Sequence, residues 1–162
     1  MPVPAVIAAT AENYRFNSRF LKQTVSDLSP EEWLRRPDEK LNHIAWIVGH
    51  LALSRSRLLH FMGVEWPQPE LEIFGRGQKL LEDSAYPSPE SLLISWSEAG
   101  HALAAAFQTV TEDLLTQPAP QGAPGSDGKI SGIVNFMAIH ETCHVGQASY
   151  LRVWLGHKGL MG

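Results

Sequence analysis

Two histidines one helical turn apart carry the first chemical signal in the chain. His140 and His144 lie in Ile139-His140-Glu141-Thr142-Cys143-His144-Val145-Gly146-Gln147, inside a proline-free apolar run from Ile130 to about Gly156. Positions i and i+4 of a helix share a face, so imidazoles at this spacing can chelate one divalent ion with little distortion of the backbone. Gln147 falls on the same stripe a turn later. An amide there can orient a histidine, hydrogen-bond a bound water or tie two helices together. Two ligands rarely hold a metal alone, so the chain must supply a third.

Read literally, His140-Glu141-Thr142-Cys143-His144 is H-E-x-x-H, the zinc-peptidase pattern in which the glutamate is the general base. The rest of the chain opposes that reading. The extended pattern wants glycine and histidine where Gln147 and Tyr150 stand, and no acidic residue follows Glu141 to act as a downstream ligand. His157 lies past the expected helix end. His50 is the better third ligand, because it sits within an apolar segment, Gly49-His50-Leu51, on a helix that can face His140 and His144. Three nitrogens from two helices leave coordination positions open for water, a thiolate or a substrate.

The neighbouring residues are read against plainer roles. His43, seven residues before His50, is about 10.5 Å away along a helix axis and cannot share the ion; at most it supports or rims the site. Arg57 lies on the His50 stripe nearly two turns on. It is a candidate to meet a substrate carboxylate or the anionic group of a thiol cofactor, against a surface ion pair. Cys143 reads as a small buried core residue, with a fourth soft ligand or a redox-sensitive thiol as the sharper alternatives.

Four helices must position these groups. The first is expected from about Pro4 to Leu28, with Ile7, Tyr14, Phe20, Leu21 and Val25 at roughly helical spacing. Ser29-Pro30-Glu31-Glu32 then predicts a short helical turn through Trp33-Leu34, with serine as cap and acids in the first turn. The second helix, Leu41 to Met62, stops at Gly63 and carries His50; Gly49 lets another helix come close. From Val64 to Pro87 the periodicity fails, with a helical turn allowed at Gln78 to Asp83. A loop this long is either a packed excursion plugged by Trp66 and Phe74 or a functional cover. The third helix follows the cap Ser88 and Pro89 and runs to about Leu115. Gln117 to Lys129 reads as a flexible linker, and the metal helix comes last, followed by a frayed tail from His157. No strand-like alternation and no repeat interrupts this order. The fold class is all-α, an antiparallel four-helix bundle spanning residues 1–162 as a single domain, with the metal site inside it.

Composition narrows the function. The chain has 162 residues, 44% apolar and 19% charged, which is a globular balance. Its net charge of -4 and lack of a dense basic run argue against nucleic acid as partner. No uninterrupted apolar window is long enough for a membrane span, and the N-terminus lacks the basic region of a signal peptide. Cys143 is the only cysteine, so no internal disulfide forms. The expected setting is the cytoplasm, and the expected partner is a small molecule.

Trp46-Ile47-Val48-Gly49-His50-Leu51 and the stretch from His140 to Arg152 together resemble the DinB-like superfamily, and the likeness extends to Leu28-Ser29-Pro30-Glu31-Glu32. The resemblance covers nearly the whole chain in element order. It implies a four-helix bundle, DinB/YfiT-like, often a homodimer. It also implies a divalent metal, zinc, nickel or iron, bound by three histidines, which match His50, His140 and His144 here. Glu141 is not a ligand in that pattern. Some relatives are bacillithiol- or mycothiol-dependent S-transferases or isomerases, so a low-molecular-weight thiol is an implied co-substrate. The resulting expectation is a metal-dependent hydrolase or thiol S-transferase, with Gln147 and Arg57 as candidate supporting residues; the alternative is a non-catalytic stress-response protein that binds metal or a small ligand.

Overall fold

Apolar stripes of helical period form helices in the order their spacing predicts. The computed structural model of the protein describes residues 2–125 and 127–161, so Met1, Ser126 in the linker and Gly162 at the tail lie outside it. The helices are α1 (Ala8–Val25), α2 (Ile44–Phe61), α3 (Pro89–Thr109), a short α4 (Glu112–Thr116) and α5 (Ile130–Trp154). No strand occurs among the described residues; Pro118 and Lys129 form one isolated bridge across the neck of the linker. The four long helices close a ring in which α1 packs on α5, α5 on α2, α2 on α3, and α3 more loosely on α1. This is the all-helical bundle expected.

Helix boundaries follow local chemistry. Ser88 accepts a hydrogen bond from the Ser91 amide at 3.2 Å, and Pro89 occupies the first turn of α3, where its missing N–H has no partner to lose. The pair Ser29 and Glu32 forms a reciprocal capping box (Ser29 N–H to Glu32 at 2.8 Å, Glu32 N–H to Ser29 at 3.3 Å) and folds the turn that sets Trp33 into the core.

Four expectations need correction. The first helix opens as a 3-10 turn at Ala5–Ile7 and ends at Val25. The second begins at Ile44 rather than Leu41, because the His43 side chain caps it. The third stops at Thr109: Val110 turns extended (φ -60°, ψ 137°), and Thr111 caps the separate α4. In the long loop, 3-10 turns occur at Pro69–Phe74 and Asp83–Ala85 rather than as one turn from Gln78 to Asp83.

The tail is also tied down rather than frayed. Arg152 is buried and grips Asp27 through both outer guanidinium nitrogens, while it donates to Thr24 O and Lys158 O at 2.9 Å each. His157 adds a hydrogen bond from Nε2 to Glu32 at 2.9 Å. The end of α5 is thereby pinned to the end of α1, which fixes how far α5 can slide along the bundle.

Two apolar clusters fill the interior. One joins Leu21, Trp33, Ile47, Leu51, Phe74, Trp96 and Leu151; the other joins Ile7, Tyr14, Leu58, Leu103, Phe107 and Ile133. Burial of each large side chain contributes roughly 1.5–3 kcal/mol. The polar residues between and beside these clusters are therefore conspicuous, and they form two very different groups.

Candidate metal centre

The capping of α2 begins the site. His43, 1% exposed, accepts the Trp46 amide hydrogen bond on Nδ1 at 3.0 Å, and its ring meets Tyr86 edge-on at 4.6 Å. Burial pushes its pKa down to about 4, so the imidazole is neutral and free to act as an acceptor. Trp46, fixed by that cap, stacks on His50 one turn later, with ring centroids 4.7 Å apart and planes 10° from parallel.

His50 faces α5. Its Nδ1–H donates to the Phe74 carbonyl at 2.7 Å, so its Nε2 carries a lone pair. On α5, the His144 Nδ1–H donates to the Gln147 side-chain oxygen at 2.8 Å, which frees Nε2 in the same way. His140 completes the trio, its Nε2 3.1 Å from the Nε2 of His50, while its buried Nδ1 has no hydrogen-bond partner among the described residues. The three histidines each offer one nitrogen, and these nitrogens lie within 4.8 Å of one another.

Electrostatics keep the trio uncharged. Burial lowers the pKa of all three, and their mutual proximity adds to the effect at His140, whose value falls to about 4. Neutral imidazole is the form that ligates metal. The donor set therefore fits a divalent cation. Two of the inward nitrogens are unprotonated by tautomer, and one hydrogen bond within the trio satisfies at most a single pair. A cation at their centre would satisfy all three.

The long loop takes part in this arrangement. Phe74 is fully buried against α2, and its carbonyl fixes His50. A β-carbon on Gly49 would stand 2.5 Å from the Phe74 ring, so glycine is required there by the loop's aromatic side chain and not by a neighbouring helix, which corrects the sequence expectation. The loop is both the packed plug and a support for the site. Nothing in the sequence marks a backbone carbonyl as a functional group, and Phe74 could have been found only as a buried aromatic near Gly49.

The other expected residues separate. Gln147 orients His144, one of the roles considered for it. Arg57 pairs with Glu72 at 2.8 Å on the exposed side of α2, the surface ion pair weighed against a substrate contact. Cys143 is exposed rather than buried, because it lies off the His140 stripe on the outer face of α5, and it is not part of the three-nitrogen group.

Glu141 points the other way. It is 1% exposed, and its two carboxylate oxygens accept from Arg55 Nε and Nη2, both at 2.8 Å. Arg55 also donates to Ser18 at 2.8 Å and to the Trp96 carbonyl at 3.3 Å, and its guanidinium lies 4.2 Å from the Trp96 ring centroid. A carboxylate so engaged is no general base for chemistry at the histidines, which removes the peptidase reading on structural grounds. Sequence reasoning passed over Arg55. A signal existed: an arginine inside the apolar α2 needs a buried partner, and Glu141 is the only acid on α5.

The model of the DinB superfamily matches residues 14–148, a stretch that contains all three histidines. The crystal structure of a conserved protein from Enterococcus faecalis is similar in fold, with a TM-score of 0.63 and 12% identity over 90% of this chain and 94% of that one. No curated protein matches the chain. With its helices in the expected order and the family match spanning most of its length, the chain belongs to the DinB superfamily.

Proposed function

We propose that His50, His140 and His144 hold one divalent metal ion, zinc, nickel or iron, and that the protein is a metal-dependent hydrolase or thiol S-transferase acting on a small molecule. The observation that carries this reading is the convergence of three neutral ring nitrogens, two of them with fixed tautomers. A cation held by three protein ligands supplies Lewis acidity to an oxygen or sulfur of the substrate in a remaining coordination position.

The chain's own residues define what surrounds that chemistry. The Phe74 carbonyl and the Gln147 amide hold two imidazoles in their ligating orientation. Trp46 walls His50 with an apolar ring and lies 6.1 Å from His144, which restricts water on that side. Glu141 contributes rigidity through Arg55 and no proton transfer. On this reading the protein acts as a homodimer in the cytoplasm, with a low-molecular-weight thiol as the co-substrate to test first.

Elemental analysis of tag-free protein tests the site. Wild type is expected to carry about one equivalent of metal, and His50→Ala to lose it. Metal-loaded protein then goes to thiol–electrophile and ester or amide panels. Absence of metal from both proteins after reconstitution would sink the proposal, and stoichiometric metal without turnover in either panel would convert the enzyme reading into one of metal or ligand binding.

A further inference from the structure

The loosest seam of the bundle lies between α1 and α3, away from the histidines of α2 and α5. A cavity of about 640 Å³ opens there, within the size range of small-molecule sites. Its floor is apolar: Tyr14 of α1 and Phe107 of α3 pack with ring centroids 5.5 Å apart, and they and Trp96 are buried and show the cleft only an edge, while Val3 and Ala104 line it with accessible apolar surface. Its charged lining is of one sign. Arg15, Arg19, Lys22 and Arg55 contribute side chains, and among the described residues no carboxylate lines it, in a chain whose net charge is -4.

These cations are not equivalent. Arg55 is held by Glu141, and Arg15 pairs with the exposed Glu12. Arg19 and Lys22 stand one turn apart on α1, exposed at the rim, with no ion-pair partner among the described residues. An apolar interior with a basic rim selects a ligand with an apolar body and an anionic end. Ala104, exposed on the α3 side, leaves the width of the cleft unfilled. Gly100 lets the Arg55 guanidinium press against α3 and form part of the floor, since a β-carbon there would stand 2.4 Å from Arg55 Nη1.

We infer that the α1–α3 cleft is a second binding site, one for an amphipathic monocarboxylate, whose hydrocarbon chain lies in the cleft beside Val3 and Ala104, over the buried apolar floor, and whose carboxylate meets Arg19 and Lys22. The site is independent of the three-histidine centre and shares no residue with it.

Calorimetric titration of the full chain with sodium dodecanoate tests the inference. One molecule per chain is expected to bind, at least tenfold more weakly in the Arg19→Glu/Lys22→Glu variant and without measurable heat in Ala104→Trp; both variants change exposed positions, and far-ultraviolet circular dichroism checks their fold. His140→Ala is expected to bind as wild type, which separates this site from the proposed metal centre. Dodecanol binding as well as dodecanoate, or variants binding as wild type, would overturn the carboxylate assignment. Absence of dodecanoate binding overturns it too, whether the protein instead binds anionic phospholipid vesicles or sedimentation shows a dimer that Ala104→Trp dissociates, in which case a membrane or a second copy covers the cleft.

Discussion

Residues 140 and 141 are neighbours in sequence and opposites in environment. His140 joins a group of bases left incompletely satisfied among the described residues, with a buried Nδ1 lacking a partner and inward nitrogens competing for one hydrogen. Glu141, on the adjacent face of α5, meets a guanidinium that satisfies both its oxygens and also donates to Ser18 and to the Trp96 carbonyl. Both groups bring together polar side chains of α2 and α5, fully buried in the Arg55–Glu141 pair and at His50, half-buried at His140 and His144. A polar cluster that closes on itself is part of the scaffold, because adding a ligand would break hydrogen bonds already made. One whose lone pairs converge without donors is incomplete until something binds. A structural motif and a candidate binding site thus lie within a single turn of helix.

The largest effect should come from opening the closed group. Arg55→Ala leaves Glu141 charged, buried and unpaired, and urea denaturation should show about 3–5 kcal/mol of lost stability. Replacing both partners, Arg55→Met with Glu141→Leu, should restore most of that loss, since the desolvation cost disappears with the charges. If the double variant were as unstable as the single one, the pair would have a role beyond mutual satisfaction.

The incomplete group should behave in the reverse sense. Chelation of metal-loaded wild type should lower its stability by about 2.7 kcal/mol when free metal had stood at a hundred times its dissociation constant. His140→Ala, having no such linkage, should melt at the same temperature with and without chelator. Equal shifts in the two proteins would mean that the chelator acts elsewhere.

Gly49→Ala probes the connection between the loop and the site. The new β-carbon must displace a fully buried ring, which should cost about 1–3 kcal/mol and move the Phe74 carbonyl away from His50. Gln147→Leu is gentler. It removes the acceptor that fixes His144, and competition titration should show metal affinity reduced about 10–100-fold. The metal-free variant should stay within about 0.5 kcal/mol of wild type, since Gln147 is exposed. Unchanged affinity would mean that the imidazole needs no such guide.

These groups differ in how far the sequence reveals them. The i, i+4 spacing of His140 and His144 is local, so helical geometry alone brings them together, and Gln147 is visible on the same stripe. His50 is 90 positions away from His140 and is reached only by assuming that two apolar helices face each other. The Arg55–Glu141 pair spans 86 positions and mixes an unremarked arginine with a glutamate that H-E-x-x-H assigns to catalysis. Periodicity says which residues face inward, but not which pair meets. The break of α3 had a local signal, Thr111 followed by Glu112 and Asp113, which is an N-cap before acids. The apolar stripe continued through Leu114 and masked it. The His157 contact with Glu32, 125 positions apart, had no local signal at all.

That tail contact supplies the smallest effect and a third kind of polar cluster, closed like the Arg55 pair but open to solvent. Hydrogen bonds from Arg152 hold the Asp27 carboxyl down to about 2, below its usual value of 3.8. A carboxylate whose folded pKa is depressed stabilises the native state above its unfolded pKa, and that contribution fades as pH falls toward the folded value. Glu32 shifts in the same direction through its hydrogen bond from His157. Wild type should therefore lose stability between about pH 4 and pH 2, and Asp27→Asn should lose less over the same window. Asp27 is half exposed, so added salt should narrow the difference between the two proteins, whereas it should leave the cost of Arg55→Ala nearly unchanged. Equal salt sensitivity at both places would mean that water reaches Arg55 and Glu141 through the α1–α3 cleft, and that the interior pair is less closed than its hydrogen bonds indicate.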